Sequence, residues 1–424
     1  MEKQKIKFIF DLDGTITKIE ALPFIAKHFN LQDQIFDLTK ETIKGNVPFV
    51  ESFIKRVNIL GQINVDEIND ILQKIPLFDD VLKFIQSNLD DCIVATGNLD
   101  VWSENLLKRI GCESYVSQAK LVNKRVVGIK SILKKSEIVS DLKRKGFMVV
   151  YVGDGNNDAE AMRLADISIA CGCVHNPANS VMAITDYVIY EEKALIRILK
   201  AISISIAPPG QSLVISCAGI GSRLGLNSTK ALIEFNGRPL IQWQLENFWE
   251  IQDIKIVVGF EANQVIKAVR EIRNDVIFVF NHDYFSTATG KSLFLGARYS
   301  NEFIIAWDGD LVVHYEDIIK CLSINDEYLG ISNAISEDTI FAILDDEEQK
   351  VIDISRSINS KYEWSGPARL KKERILDQND NVFKGLLNQL PLPALKIRAF
   401  DIDTSSDYNF AKENFDYYHN NSRI

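Results

Sequence analysis

Apolar residues along this chain cluster in short, unbroken runs that end abruptly in polar groups. Phe8, Ile9 and Phe10 run into Asp11; Ile93, Val94 and Ala95 run into Thr96, Gly97 and Asn98; Val149, Val150, Tyr151 and Val152 lead to Asp154. Runs of this length, apolar on both faces, fit strands of a parallel sheet covered on each side. Leu213, Val214 and Ile215 begin another such run, and residues 304–313 (IIAWDGDLVV) a further one. Between the first two runs the period changes. Leu22, Ile25, Ala26 and Phe29, then Ile68, Ile71, Leu72 and Ile75, recur at helical spacing with breaks at Gly45 and Pro48. This predicts an all-helical insert over about residues 18–78, placed to act as a cap over the strand ends.

Lys135, Val139 and Leu142 lie on an amphipathic segment just before the third run, and residues 165–189 predict two more short strands. Residues 203–212 (SISIAPPGQS) have the Ser, Pro and Gly content of a linker. The expected organisation is α/β: two doubly wound, mostly parallel-sheet domains, residues 1–207 with the small helical cap and residues 208–424.

Polar groups at the carboxyl ends of parallel strands share one crevice, where open α/β sheets bind ligands. Asp11 and Asp13 would emerge there together, with Gly14 allowing the turn and Thr15 bonding a phosphate oxygen or the loop itself. A solvated Asp-Gly turn is the bland alternative for this stretch alone. Taken with Thr96, Gly97, Asn98, Lys135, Asp154 and Asp158, it becomes a single candidate site. Carboxylates from two strands suit Mg²⁺, a hard cation that prefers oxygen ligands. Without an ion, clustered acids raise one another's pKa and repel a phosphate.

Composition narrows the partners. The 424 residues carry a net charge of −10 and are 46% apolar and 25% charged. That balance is ordinary for globular domains and unsuited to a nucleic-acid backbone. Leu199 to Ile220 is the nearest approach to a membrane span, and Pro208, Pro209 and Gly210 break it. The amino terminus has no long apolar core before Asp11, so a cytoplasmic location is expected. The six cysteines, of which only Cys171 and Cys173 are close in sequence, are expected to be free thiols. Oligomeric state is left open.

The four motifs FDLDGT, ATGN, Lys135 and GDGNND, in this order, resemble those of the haloacid dehalogenase-like phosphatases. DLDGTITKIE with IKGNVPFVESFIKRVNILG resembles the phosphoserine phosphatase branch. The resemblance implies hydrolysis of a small phosphate ester. Asp11 would be the nucleophile, Asp13 the general acid and base, and Thr96 and Lys135 the phosphoryl-binding groups. Asp11, Asp13, Asp154 and Asp158 would form the metal set, with Asp158 acting through water or orienting Lys135. Gly97 and Asn98 would line the substrate. Glu20 and Arg56 on the cap would read an ammonium and a carboxylate, as a planar guanidinium suits a carboxylate. A cap salt bridge is the alternative for that pair.

In the second half, Gly219, Gly221, Ser222, Arg223 and Lys230 form a G-x-G-S-R-x-G…K pattern after a buried strand. Glycines let backbone N–H groups approach a triphosphate while the cations balance its charge. With IIAWDGD and the later AFDIDTSSDY, the pattern resembles the nucleotidyltransferases that make nucleoside diphosphate sugars and CDP-alcohols. That resemblance implies an NTP, with CTP ahead of UTP or GTP, and Asp310 and Asp403 as Mg²⁺ ligands, Asp308 and Asp401 being alternatives. Lys291 is a candidate for reading base or sugar, and residues 361–370 (KYEWSGPARL), with Arg369, a candidate acceptor pocket. Two rival readings remain: only one half catalytic and the other a binding or regulatory module, or a hexose-phosphate nucleotidyltransferase in the second half.

Overall fold

The computed structural model describes residues 5–221, 228–334 and 339–419. The chain forms two compact units, Met1–Ser203 and Ile204–Ile424.

In the first unit the strands are β1 (Ile6–Phe10), β2 (Cys92–Leu99), β3 (Glu113–Val122), β4 (Arg125–Ser131), β5 (Met148–Gly153), β6 (Ile167–Cys171) and β7 (Tyr187–Ile189). They lie in the order β7-β6-β5-β1-β2-β3-β4. Pairing is parallel from β7 through to β3, and β4 returns antiparallel to β3. Every residue of β2 is buried, as are Phe8, Ile9 and Phe10 of β1, so the unbroken apolar runs are those of strands covered on both faces. The register Phe10↔Val94 and Phe10↔Val152 sets the end of β1 level with the end of β5 and with the middle of β2, just before Thr96. Asp11, Thr96 and Asp154 therefore emerge side by side.

Helices Ala21–His28, Gln32–Ile43, Phe49–Leu60 and Val65–Leu72 follow β1 and form the cap. The cap is not wholly helical. The β3–β4 hairpin is tied to it by bonds from Val65 N to Lys124 O, at 2.9 Å, and from Val126 N to Gly61 O, at 3.1 Å. Its two-residue turn, Asn123-Lys124, has positive φ at both positions, the twist that a tight hairpin requires.

The second unit contains β8 (Gln211–Cys217), β9 (Glu234–Phe235), β10 (Arg238–Pro239), β11 (Ile254–Val258), β12 (Ile277–Phe280), β13 (Phe303–Asp308), β14 (Leu311–Val313), β15 (Tyr328–Asn333), β16 (Phe341–Leu344), β17 (Lys350–Ser355), β18 (Tyr362–Lys371), β19 (Leu392–Lys396) and β20 (Ala399–Asp401). The sheet β12-β11-β8-β13 is parallel; β13 then pairs antiparallel with β18, which leads into β15 to β17 and β19. Two small antiparallel pairs, β9–β10 and β14–β20, lie outside this sheet.

A helix, Ser405–Tyr418, closes the second unit. Thr404 caps it by accepting from Asp407 N while Asp407 accepts from Thr404 N, a reciprocal capping box. Ala411 and Phe415 of this helix pack on Phe235, Trp243, Phe400 and Ile402. The Phe235 and Phe415 rings stack with centroids 4.5 Å apart. In the stretch IDTSSDY, Ile402 thus enters the core and Thr404 starts the helix, which fixes Asp403 between them. Among the described residues, no helix is long and apolar enough to cross a membrane. All six cysteines are free thiols.

Candidate active sites

At the carboxyl edge of the first sheet, Lys135 Nζ lies 2.6 Å from Asp11 Oδ1 and 2.7 Å from Asp158 Oδ1, with all three side chains buried. Lys135 is the first residue of the helix Lys135–Arg144, and Ile138, Val139 and Leu142 seat that helix in the core. Burial lowers the lysine's pKa, but the two carboxylates outweigh it and hold the ammonium charged. Burial and Asp158 push the Asp11 pKa well above the usual carboxylate range, and Lys135 draws it back.

Asp158, expected among the metal ligands, has both oxygens engaged within the protein. Oδ1 accepts from Lys135 and from the Tyr151 hydroxyl, at 2.8 Å. Oδ2 accepts from Asp154 N at 3.2 Å and Gly155 N at 3.0 Å. This arrangement makes it an anchor for Lys135 and for the loop after β5.

Asp13, also expected in the metal set, points its carboxylate elsewhere. It accepts from Ala21 N and from Asn98 Nδ2, each at 2.7 Å. Burial, then Glu20, raise its pKa to about 7. Asn98, expected on the substrate, lines the cavity and also holds Asp13. Gly97 lines the cavity too, whereas Thr96 is buried, its hydroxyl accepting from Asn98 N at 3.1 Å. The Thr15 hydroxyl is buried and has no partner among the described residues.

Gly14 has φ +69°, and a Cβ there would meet Asp154 Oδ2 at 2.9 Å, so the turn needs glycine both for its conformation and for its closeness to Asp154. Carboxylate oxygens of Asp11, Asp154 and Asp158 lie within 4.8 Å of one another, a buried cluster able to hold a divalent cation. With Asp158 already saturated, Asp11 and Asp154 are the better donors.

The cavity, about 80 Å³, is walled by Asp11, Asp13, Glu20, Arg56 and His175 among others. Glu20 and Arg56 of the cap thus reach it together. Arg56 is buried and donates to Thr39 Oγ1 at 3.4 Å. His175 was not anticipated. Its Nε2 lies 2.8 Å from Asp154 Oδ2 and 3.3 Å from Glu20 Oε1. Burial works against protonation, but the bonds to these acids raise the His175 pKa to about 11. Burial in turn lifts Asp154 to about 6.

In the second unit Lys230 Nζ bonds Asp310 Oδ2, at 2.6 Å, and Asp403 Oδ1. Three chain segments converge there. Asp308 ends β13 and Asp310 follows it, Asp401 ends β20 and precedes Asp403, and Lys230 opens a short 3₁₀ turn. Ser228 Oγ and Thr229 N both bond Glu261 Oε2, at 2.7 and 3.0 Å, which pins the loop just before the lysine. A cavity of about 390 Å³ is lined by all five of these charged residues and by Gly219 and Gly221. Ser222 and Arg223 lie outside the described residues.

Burial and Asp310 raise the Asp308 pKa to about 7, and burial with the neighbouring acids raises Asp401 well above its usual range. Asp401 Oδ1 is buried and, among the described residues, has no hydrogen-bond donor. A carboxylate oxygen left in this state, beside three further acids and one lysine, fits a divalent cation. Of KYEWSGPARL, Glu363 and Trp364 line the cavity. Arg369 does not: its guanidinium sits 3.8 Å over the Phe303 ring and donates to Gln211 Oε1, so its role is in packing. Lys291 pairs with Asp377 at 2.7 Å.

Each unit gathers acids around one lysine, buried in the first and partly buried in the second, an arrangement suited to α/β enzymes that act on phosphate groups. Residues 8–166 match the haloacid dehalogenase-like hydrolase family model, and residues 213–323 match that of the MobA-like NTP transferase domain. The first half is 25% identical over 181 residues to a phosphoserine phosphatase of Archaeoglobus fulgidus, covering 40% of this chain and 53% of that protein. It is 26% identical over 184 residues to a phosphoserine phosphatase of Methanocaldococcus jannaschii, covering 40% of this chain and 87% of that protein. The second half is 26% identical over 226 residues to a choline-phosphate cytidylyltransferase of Streptococcus pneumoniae, covering 47% of this chain and 96% of that protein.

Proposed function

We propose that the protein is a bifunctional enzyme: a Mg²⁺-dependent phosphomonoesterase in its first half, and a nucleotidyltransferase that consumes CTP and a small phosphorylated alcohol in its second. The observation that carries the first assignment is the Lys135 bridge between Asp11 and Asp158 beside Asp13 and Asp154. Asp11 attacks phosphorus, and the bond to the leaving oxygen breaks as an aspartyl phosphate forms. Asp13, titrating near 7, delivers a proton to the departing alkoxide and then takes one from the attacking water. Lys135 favours the ionised form of Asp11 and balances charge on the phosphoryl oxygens. Asp11 and Asp154 would hold the cation, which neutralises the phosphate's charge so that it can approach the acids. Glu20 and Arg56 offer opposite charges to the organic part of the ester, as a zwitterionic, phosphoserine-like substrate would require.

In the second half the acceptor phosphate attacks the α-phosphorus in line and pyrophosphate leaves, with no covalent intermediate, so the chain's task is positioning and neutralisation. Lys230 and the glycine loop face the triphosphate. Asp308, Asp310, Asp401 and Asp403 would hold the cation that offsets its charge. The choice of CTP and of a small alcohol phosphate is supported by the likeness to the Streptococcus pneumoniae cytidylyltransferase. The two units are assigned as separate domains, 1–207 and 208–424, each with its own chemistry, and the protein as cytoplasmic.

The test is a substrate panel on the full-length protein with Mg²⁺. Inorganic phosphate is read with small phosphate esters, and pyrophosphate with each of the four NTPs and candidate acceptors. Phosphate from phosphoserine-like esters and pyrophosphate from CTP are the expected results. Absence of either product removes the corresponding half of the proposal.

A further inference from the structure

The cavity at Asp11 is small, about 80 Å³, while a recess of about 940 Å³ opens on the cap beside it. Glu20 and Thr39 belong to the walls of both. Arg56 bonds Thr39 from the catalytic side. An ester gripped by its phosphoryl group at Asp11 therefore has this recess next to the part of the cap that meets its organic end.

The recess is built from apolar side chains. Ile19, Pro23, Phe24 and Val174 line it, and Phe36 stands at 61% exposure, a large ring kept in water. Large apolar side chains so placed mark a binding surface when they adjoin one another in a concavity. Lys27, Lys40 and Lys44 also line it. Lys44 is paired with Glu41 at 3.3 Å, whereas Lys27 and Lys40 have no carboxylate within 4 Å among the described residues. An apolar trough bordered by two such cations is complementary to an apolar body that ends in an anion.

We propose that this recess receives the leaving-group end of the phosphatase substrate, a phosphate monoester whose organic part extends as an apolar chain to a second anionic group. The proposal rests on the phosphomonoesterase reading and sets this longer ester in place of the phosphoserine-like one as the preferred substrate. Apolar burial stabilises such a complex at about 0.8 kcal/mol per methylene, roughly a threefold to fourfold gain each. The lysines add attraction that salt weakens.

The experiment compares ethyl phosphate, octyl phosphate and 8-(phosphonooxy)octanoate as substrates of the full-length protein with Mg²⁺. In parallel, calorimetry follows binding of ethylphosphonate and octylphosphonate, which cannot be hydrolysed. The expected kcat/KM rises at least tenfold from ethyl to octyl and a further several-fold with the terminal carboxylate. Octylphosphonate binds at least tenfold more tightly than ethylphosphonate. Phe36→Asp removes the octyl gain in both assays and leaves ethyl phosphate turnover unchanged, which also checks folding. Lys27→Glu with Lys40→Glu removes only the gain from the carboxylate. Equal kcat/KM and equal phosphonate affinity along the series, or a chain-length gain that survives Phe36→Asp, overturn the proposal. Release of no phosphate from any ester while the phosphonates still bind with the chain-length gain faults the phosphomonoesterase reading instead and leaves the recess assigned as a binding site.

Discussion

Lys135 Nζ is 2.6 Å from Asp11 Oδ1, and both side chains are buried. Removing the cation strands Asp11 and Asp158 as unpaired buried acids, and losing one partner of a buried pair costs about 3–5 kcal/mol. Lys135→Met should therefore lower the stability of the first unit by that order and reduce phosphate release at least a hundredfold. Urea denaturation together with a phosphate assay checks both. A stable and active Lys135→Met protein would show that the bridge has neither role.

Gly366 has φ +95°, and a Cβ there would meet Asp308 Oδ2 at 3.2 Å and Asp401 Oδ1 at 3.8 Å. Gly366→Ala imposes a left-handed backbone on an alanine, at about 1–3 kcal/mol, and pushes on the raised Asp308 carboxylate. Pyrophosphate release should fall at least tenfold while phosphate release is unchanged. A full rate of pyrophosphate release would mean that these acids are not needed for nucleotidyl transfer.

Thr404 fixes Asp403 by starting the last helix. Thr404→Ala removes one half of the capping box, at about 1 kcal/mol. The expected result is a lower melting temperature and a several-fold rise in the KM for the nucleotide, measured by pyrophosphate release at varied CTP. An unchanged KM would separate the cap from the site.

Asp317 accepts from Arg398 N and Nε, at 2.9 and 2.7 Å, and its side chain is 1% exposed. Burial raises its pKa, but the bonds from Arg398 and Lys320 outweigh this and hold it at about 2, below the usual 3.8. Because the folded value is the lower one, the stability it contributes, about 2 kcal/mol, is complete above pH 3.8 and is lost as pH falls through 2. Asp317→Asn should be less stable than the unaltered protein at pH 7 by that order, and the gap should close near pH 2. A gap independent of pH in urea titrations would contradict this origin.

Much of this arrangement is legible in the sequence because unbroken apolar runs can end only where the chain leaves a buried strand. Asp11 and Asp154, at the ends of β1 and β5, were placed on that ground. The stretch IDTSSDY likewise carries its own geometry, with Ile402 in the core and Thr404 at a helix start. His175 was not legible, since it sits in the loop after β6 and its partners, Glu20 and Asp154, are remote in sequence. Its one signal was a histidine just after a short buried strand. The β3–β4 hairpin had a signal that helical periodicity elsewhere in the cap overshadowed: LVNKRVV alternates around a two-residue turn. Gly366 reads as a loop residue but lies inside β18, where its positive φ and its closeness to Asp308 call for glycine. Arg369 reads as a pocket cation, yet it stacks over Phe303 and donates to Gln211 and to the Asn325 carbonyl, partners remote in sequence.

The central claim is that one chain carries two separate phosphorus chemistries, one on Asp11 and one around Lys230. Asp11→Asn and Lys230→Met, each made in the full-length protein and assayed for both products with Mg²⁺, test it most directly. Asp11→Asn should abolish phosphate release from small esters and leave pyrophosphate release from CTP intact, and Lys230→Met should do the reverse. Loss of both products in either variant, or of neither, would contradict the account.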